Sequence, residues 1–124
     1  MLKGSCLCGA ITFTSTAVSR DPAACHCSQC RKQSGHYWAS VQVMDDGLAI
    51  LGTPTWYAAS DGAKRGFCPT CGSFLFWKRS GDPDTAVALG AVDGATGLRL
   101  TRHIYTSDKG DYYDLPHDEG TKDV

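Results

Sequence analysis

Seven cysteines, grouped in three tight motifs, constrain this 124-residue chain more than any other feature. The motifs are Cys6-Leu7-Cys8, Cys25-His26-Cys27-Ser28-Gln29-Cys30 and Cys68-Pro69-Thr70-Cys71. Residues i and i+2 of an extended segment point to the same side, and a CxxC pair curls as a knuckle that turns both sulfurs toward one centre. We therefore expect metal ions rather than disulfides, since an odd number of cysteines would leave one thiol unpaired.

The seven cysteines divide as four plus three. Tetrahedral zinc takes four ligands in structural sites, and three plus an exchangeable position in catalytic sites. The predicted closed set consists of Cys6, Cys8, Cys68 and Cys71. The predicted open set consists of Cys25, Cys27 and Cys30, which lie in one tight segment. The alternative pairing of Cys6 and Cys8 with two of the middle cysteines would leave one cysteine of the middle motif without a role.

Charge and hydropathy limit the classes of partner. The formal net charge of −1 argues against nucleic acid and anionic membranes, which select a clustered basic face. The densest apolar run, Phe74 to Trp77, is only strand-sized, and the N-terminus lacks the apolar region of a secretory signal. These features predict one cytoplasmic domain, residues 1–116, followed by a polar tail, residues 117–124.

Alternation of apolar and polar residues predicts an all-β barrel or sandwich, with strands separated by Gly, Pro and Asp turns. The predicted strands cover residues 10–15, 36–43, 48–51, 55–58, 64–67, 74–78, 85–89 and 98–106. Asp61-Gly62 is a hairpin signal. Two segments can hold a helical turn, Ser28 to Ser34 and Asp111 to Asp114.

The three cysteine motifs, read with their flanking residues, resemble one known family. The matching segments are Lys3 to Ile11, Cys25 to Lys32, and Phe67 to Ser73, in that order. They resemble the GFA family, which takes its name from the glutathione-dependent formaldehyde-activating enzyme and includes centromere protein V. The resemblance covers the chain from Gly4 to about Pro116, since His103-Ile104-Tyr105 and the later tyrosines also resemble the family's C-terminal end.

The resemblance implies a fold of stacked antiparallel β-sheets carrying two zinc ions per chain. It implies a structural zinc on the four-cysteine set and a catalytic zinc on Cys25, Cys27 and Cys30. It also implies a carbon–sulfur lyase or thiol adduct synthase that joins glutathione and formaldehyde into S-(hydroxymethyl)glutathione. The alternative is a non-catalytic zinc module that binds a protein partner. A thiol-redox protein is a weaker third interpretation, because no eighth cysteine stands apart from the metal motifs.

Polar residues around the middle motif suggest further roles. Arg31 and Lys32 can hold a carboxylate of a peptide-like thiol, or they offset the thiolate charge or remain in solvent. His26 should point away from its cysteine neighbours, so it is expected to lie behind the metal site or to be exposed rather than to act as a ligand. His36 and His103 are expected to pack or to lie at the surface. Tyr112 and Tyr113 are expected to pack as aromatic residues or to close one side of a pocket.

Overall fold

Residues 1–116, the part of the chain that this computed structural model describes, contain ten β-strands, one short α-helix and three 3₁₀-helices, which are Asp45–Gly47, Leu89–Ala91 and Thr106–Asp108. The strands are β1 (Leu2–Ser5), β2 (Thr12–Ser15), β3 (Val18–Cys25), β4 (Trp38–Met44), β5 (Leu48–Leu51), β6 (Thr55–Ser60), β7 (Ala63–Phe67), β8 (Phe74–Arg79), β9 (Asp84–Ala88) and β10 (Arg102–Ile104). The helix α1 (Ser28–Ser34) follows β3 and spans the predicted helical segment. The predicted polar tail, with His117, lies outside the described residues.

The strands form two sheets that face each other. The small sheet has the order β1-β2-β5, and the large sheet has the order β10-β3-β4-β9-β8-β7-β6. The rings of Phe13 in β2 and Phe76 in β8 meet edge to face, with centroids 5.7 Å apart, so the core lies between the sheets. The all-β prediction is confirmed. One strand departs from the antiparallel pattern, because β10 pairs parallel to β3.

Two sequence predictions differ from the structure near the C-terminus. The predicted strand over residues 98–106 is shorter, and only Arg102–Ile104 pairs with a neighbour. Asp111 to Asp114 forms a turn rather than a helical turn. Lys109 Nζ donates to the carbonyl oxygens of Gly110 and Tyr113, so these carbonyls are bonded to a side chain instead of to helical N–H groups.

Strand β3 was not predicted from the sequence. Its stretch Val18–Cys25 lacks apolar alternation and contains Pro22, which cannot donate to a sheet ladder. The pairing of β3 with β4 shifts register between Val18 and Ala23, and this irregularity admits the proline. Within residues 1–116, no helix has the length and apolar character that crossing a membrane requires.

Gly4 in β1 packs tightly between the Phe13 ring and the backbone of Ala91. A Cβ atom there would lie 2.3 Å from the Ala91 carbonyl oxygen and 2.4 Å from the buried Phe13 ring. Gly4→Ala is therefore expected to destabilise the fold by about 2 kcal/mol through overpacking, and to lower Tm by about 5 °C or more. Thermal denaturation followed by circular dichroism tests this.

Gly90→Ala is the matched control for this substitution. A Cβ atom at Gly90 meets nothing within 4 Å, so its Tm should stay within about 2 °C of wild type. Equal melting of the two alanine variants would contradict the packing assigned to Gly4.

Candidate metal centres and functional site

The four cysteines of the predicted closed set converge at one point. Cys6 and Cys8 follow β1, and Cys68 and Cys71 lie between β7 and β8. Their sulfur atoms all lie within 4.8 Å of one another. The Cys6–Cys8 and Cys8–Cys68 sulfur separations are 3.7 and 3.8 Å. Four sulfurs placed 2.3 Å from a tetrahedral centre lie about 3.8 Å apart, so the arrangement fits zinc.

The loops that carry these cysteines have the backbone expected of metal knuckles. Gly9 and Gly72, which follow the two cysteine pairs, have φ angles of 82° and 80°, in the left-handed region that favours glycine. The N–H of Ile11 donates to the Cys6 sulfur at 3.3 Å. Such bonds hold a sulfur in place and stabilise its thiolate form.

Ser73 completes this four-cysteine site on its exposed side. Its hydroxyl oxygen lies 3.2 Å from the Cys71 sulfur and accepts a hydrogen bond from the N–H of Leu7 at 3.0 Å. Hydrogen bonds from Ser73 lower the pKa of the Cys71 thiol to about 5. One serine thus joins the two loops and favours the ligand form of a cysteine.

The three cysteines of the middle motif form a second cluster. Cys25 ends β3, Cys27 caps α1, and Cys30 lies buried in the first turn of that helix. Their sulfurs also lie within 4.8 Å of one another. Among residues 1–116, no histidine, aspartate, glutamate or further cysteine joins this cluster. Three soft ligands at one point fit a zinc ion with one exchangeable position.

Arg65 in β7 is the residue at this site that sequence reasoning missed. It is only 5% exposed, and two of its guanidinium nitrogens lie 3.5 and 3.6 Å from the Cys30 sulfur. It also donates to the side-chain oxygens of Gln29 at 3.1 Å and Gln33 at 2.9 Å. The hydrogen bond from Cys25, with that from Arg65, lowers the pKa of Cys30 to about 6. No sequence motif marks an arginine 35 residues beyond its partner.

Arg65 also lines an open cavity of about 410 Å³. Its lining combines polar side chains of α1 with residues of β6 and β7; they are Gln29, Lys32, Gln33, Tyr57, Ala59 and Arg65. Lys32 therefore faces a space that can hold a small molecule. Arg31, the other basic residue singled out in the sequence, instead donates from Nε to the Asp108 carbonyl oxygen at 3.3 Å.

His26 lies behind the cysteines and is fully buried. Its side chain is not part of the sulfur cluster, and of the two expected placements the structure shows the buried one. Its Nε2 lies 2.9 Å from Nδ1 of buried His103, and its Nδ1 is hydrogen-bonded to the Tyr113 hydroxyl. Burial, with the nearby charge of His103, lowers the pKa of His26 to about 4, so the ring is neutral at pH 7. These contacts fasten the C-terminal segment to the metal-binding loop.

Tyr113→Phe is expected to destabilise the fold by about 1–2 kcal/mol, because it leaves Nδ1 of buried His26 without its partner. Chemical denaturation measures this loss. Tyr112→Phe is the matched control, since that hydroxyl is exposed and donates to the Gly35 carbonyl oxygen, which water can replace. If the Tyr113→Phe variant is as stable as the Tyr112→Phe variant, the hydrogen bond between Tyr113 and His26 does not stabilise the C-terminal segment.

The comparisons with known proteins agree with this architecture. The family model described as glutathione-dependent formaldehyde-activating enzyme, GFA, matches residues 1–108. The chain is 25% identical to a Rhodobacter sphaeroides protein of known crystal structure, with a TM-score of 0.65 over 77% of this chain and 91% of that one.

Two curated relatives carry enzyme names. An uncharacterised lyase of Schizosaccharomyces pombe is 26% identical over 115 residues, which cover 91% of this chain and 84% of that protein. A Halomonas elongata protein provisionally named glutathione-dependent formaldehyde-activating enzyme is 35% identical over 88 residues, 61% of this chain and 55% of that protein. With a family model matched along residues 1–108 and both cysteine clusters assembled, the chain belongs to the GFA family.

Proposed function

We propose that this protein is a zinc-dependent enzyme of the carbon–sulfur lyase class, which joins glutathione to a small aldehyde such as formaldehyde. The contrast between the two cysteine clusters is the observation that carries the proposal. One cluster offers four sulfurs, the full ligand set of a structural zinc site. The other offers three sulfurs, the number that leaves one position of a zinc ion exchangeable. The enzyme names of the relatives support the same class.

The two clusters receive different roles in this proposal. Cys6, Cys8, Cys68 and Cys71 would hold a structural zinc between the start of the chain and the β7–β8 loop. Cys25, Cys27 and Cys30 would hold the catalytic zinc. Zinc at such a site lowers the pKa of a thiol and polarises a carbonyl oxygen. A reaction that uses glutathione also fits the reducing, cytoplasmic compartment predicted from the cysteine content.

The reaction forms one carbon–sulfur bond. The sulfur of the thiol adds to the aldehyde carbon, and the thiol proton ends on the former carbonyl oxygen, which gives a hydroxymethyl thioether. The reverse reaction breaks the same bond and is the lyase direction. The protein must hold the thiol near the three sulfurs, and the cavity of about 410 Å³ is lined by Arg65, whose guanidinium contacts the Cys30 sulfur.

Lys32 is the exposed cation of that cavity and is suited to a carboxylate of glutathione. Arg31 lies one position earlier on α1, and its bond to the Asp108 carbonyl directs it toward the C-terminal segment. We therefore propose Lys32 as the carboxylate contact, with Arg31 supporting the segment beside it.

Exchange spectroscopy gives a direct test. Mixing ¹³C-formaldehyde with glutathione produces two interconverting species, and the enzyme is expected to accelerate their exchange in NMR spectra. Zinc analysis should find two ions per chain, one of which responds to added glutathione. Two inert zincs and an unchanged exchange rate would overturn the proposal in favour of a non-catalytic module that binds a protein partner.

Lys32→Met is expected to raise the KM for glutathione about fivefold, because an exposed cation–carboxylate pair contributes up to about 1 kcal/mol. The KM for glutathione dimethyl ester should not change. Lys64→Met removes the same charge from β7, where the ammonium lies over the Trp56 ring at 4.5 Å, and serves as the control. The carboxylate contact would be contradicted if Lys32→Met and Lys64→Met raised the KM for glutathione equally. It would also be contradicted if Lys32→Met raised the KM for the dimethyl ester as much as the KM for glutathione.

A further inference from the structure

Arg65 is buried without a carboxylate to balance it. Within residues 1–116, the ion pairs of the structure do not include Arg65, and its guanidinium meets two amide oxygens and one sulfur. A buried cation is costly unless an anion accompanies it. The group beside it that can carry negative charge is Cys30, so this cysteine and this arginine are matched as a charge pair.

The geometry of the guanidinium is fixed from three sides. Gln29 and Gln33, one turn apart on α1, each accept one of its N–H groups. The aromatic ring of Phe74 lies 5.2 Å from its central carbon and itself stacks on Trp38 at 4.1 Å. The arginine is therefore held in place before any ligand binds, and two of its three remaining N–H groups point to one sulfur atom.

Charge explains what this arrangement does for the cluster. Three thiolates and one divalent cation sum to −1, and a neighbouring guanidinium brings the total to zero. A site of charge −1 repels an incoming thiolate, whereas a neutral site does not. Hydrogen bonds to a ligand sulfur also reduce the charge that it donates to a metal, as partners behind metal ligands commonly do.

We propose that Arg65 is a positioning residue of the three-cysteine site, which fixes the Cys30 sulfur and offsets its charge so that an anionic thiol substrate can bind. This inference rests on the proposed function for its substrate, but its effect on the cluster itself does not. Arg65 acts through the Cys30 sulfur rather than by touching the reacting atoms.

Cobalt(II) substitution tests the proposal independently of activity. The first equivalent of cobalt is expected to fill the four-cysteine site. The sulfur-to-cobalt charge-transfer band that appears with the second equivalent of cobalt then reports on the three-cysteine site. Arg65→Met should shift this band to lower energy, because the Cys30 sulfur loses two donors. It should also weaken binding of the second cobalt about 10-fold to 100-fold, because the sulfur is no longer held in position. The spectrum of the first equivalent should not change, which also verifies the fold.

Two further variants make the result decisive. Arg65→Lys keeps the positive charge but lacks the forked N–H groups of the guanidinium. Compared with Arg65→Met, it should restore most of the cobalt affinity and part of the band position. This variant provides the test if Arg65→Met does not fold. Lys64→Met removes a neighbouring β7 charge and should leave both cobalt sites as in wild type. A wild-type band and affinity in a folded Arg65→Met variant, or an Arg65→Lys band that coincides with the wild-type band, would overturn the proposal.

The proposed function can fail separately. If glutathione exchange is absent but the cobalt band shifts as described, the role of Arg65 at the metal site stands and only the substrate is wrong. If exchange is catalysed, Arg65→Met should raise the KM for glutathione more than it lowers kcat, since it acts on entry of the anion.

Discussion

Substituting serine for Cys68 is expected to remove the folded state of this domain. The Cys68 side chain is completely buried, and it belongs to the core cluster between the two sheets together with Cys6, Ile11 and Phe13. Its sulfur joins a cluster whose other members include cysteines some 60 residues earlier in the chain. A structural zinc site of this kind contributes on the order of 10 kcal/mol to folding, which equals the whole stability of many small domains.

Circular dichroism and the dispersion of amide resonances measure this loss. A strong chelator should unfold the wild-type chain, and added zinc should refold it, whereas zinc should not rescue Cys68→Ser. Ser73→Ala is the control within the same site, because it removes hydrogen bonds to Leu7 and Cys71 but no ligand. A Cys68→Ser variant that still melts cooperatively near the wild-type Tm would contradict a structural role for this metal site.

The cysteine motifs carried most of what the sequence predicted about the site. Their spacing predicted that each motif turns its sulfurs toward one centre, because CxC and CxxC geometry is local. The union of Cys6 and Cys8 with the distant Cys68 and Cys71 was predicted only from the division of seven cysteines into four and three. The glycines that follow Cys8 and Cys71 have the positive φ angles that such local turns need. The roles of the two clusters as structural and catalytic zinc sites remain predictions, because spacing alone does not identify a metal.

Features that depend on tertiary contacts were not predictable in this way. Arg65 lies in β7, which belongs to the same large sheet as β3, the strand that precedes α1. The contact of Arg65 with Cys30 depends on this arrangement, and no residue near Arg65 in the sequence signals it. The burial of His26 depends on His103 and Tyr113, which lie 77 and 87 residues further along the chain. Strand β3 was missed because its propensity is poor, and its pairing with β4 and β10 overrides that propensity.

Cys27→Ser is expected to abolish catalysis while leaving the fold intact, and it separates the two metal sites most cleanly. Cys27 caps α1, and its sulfur accepts the N–H of Cys30 at 3.4 Å. Serine is among the best helix caps, so the hydroxyl keeps this bond. It is a poor ligand for zinc compared with a thiolate, so only the three-cysteine site should lose its ion.

Zinc per chain should fall from two to one, and glutathione–formaldehyde exchange should slow by about 100-fold or more, since changes behind the ligands alone cost 10-fold to 100-fold. The Tm should stay within a few degrees of wild type, because the four-cysteine site still ties β1 to the β7–β8 loop. Cys27→Ala is the matched variant: it removes the ligand and the cap together, so it should match Cys27→Ser in activity but lose about 1 kcal/mol more stability. If Cys27→Ser keeps two zincs and wild-type exchange, the three-cysteine site is not where the reaction occurs.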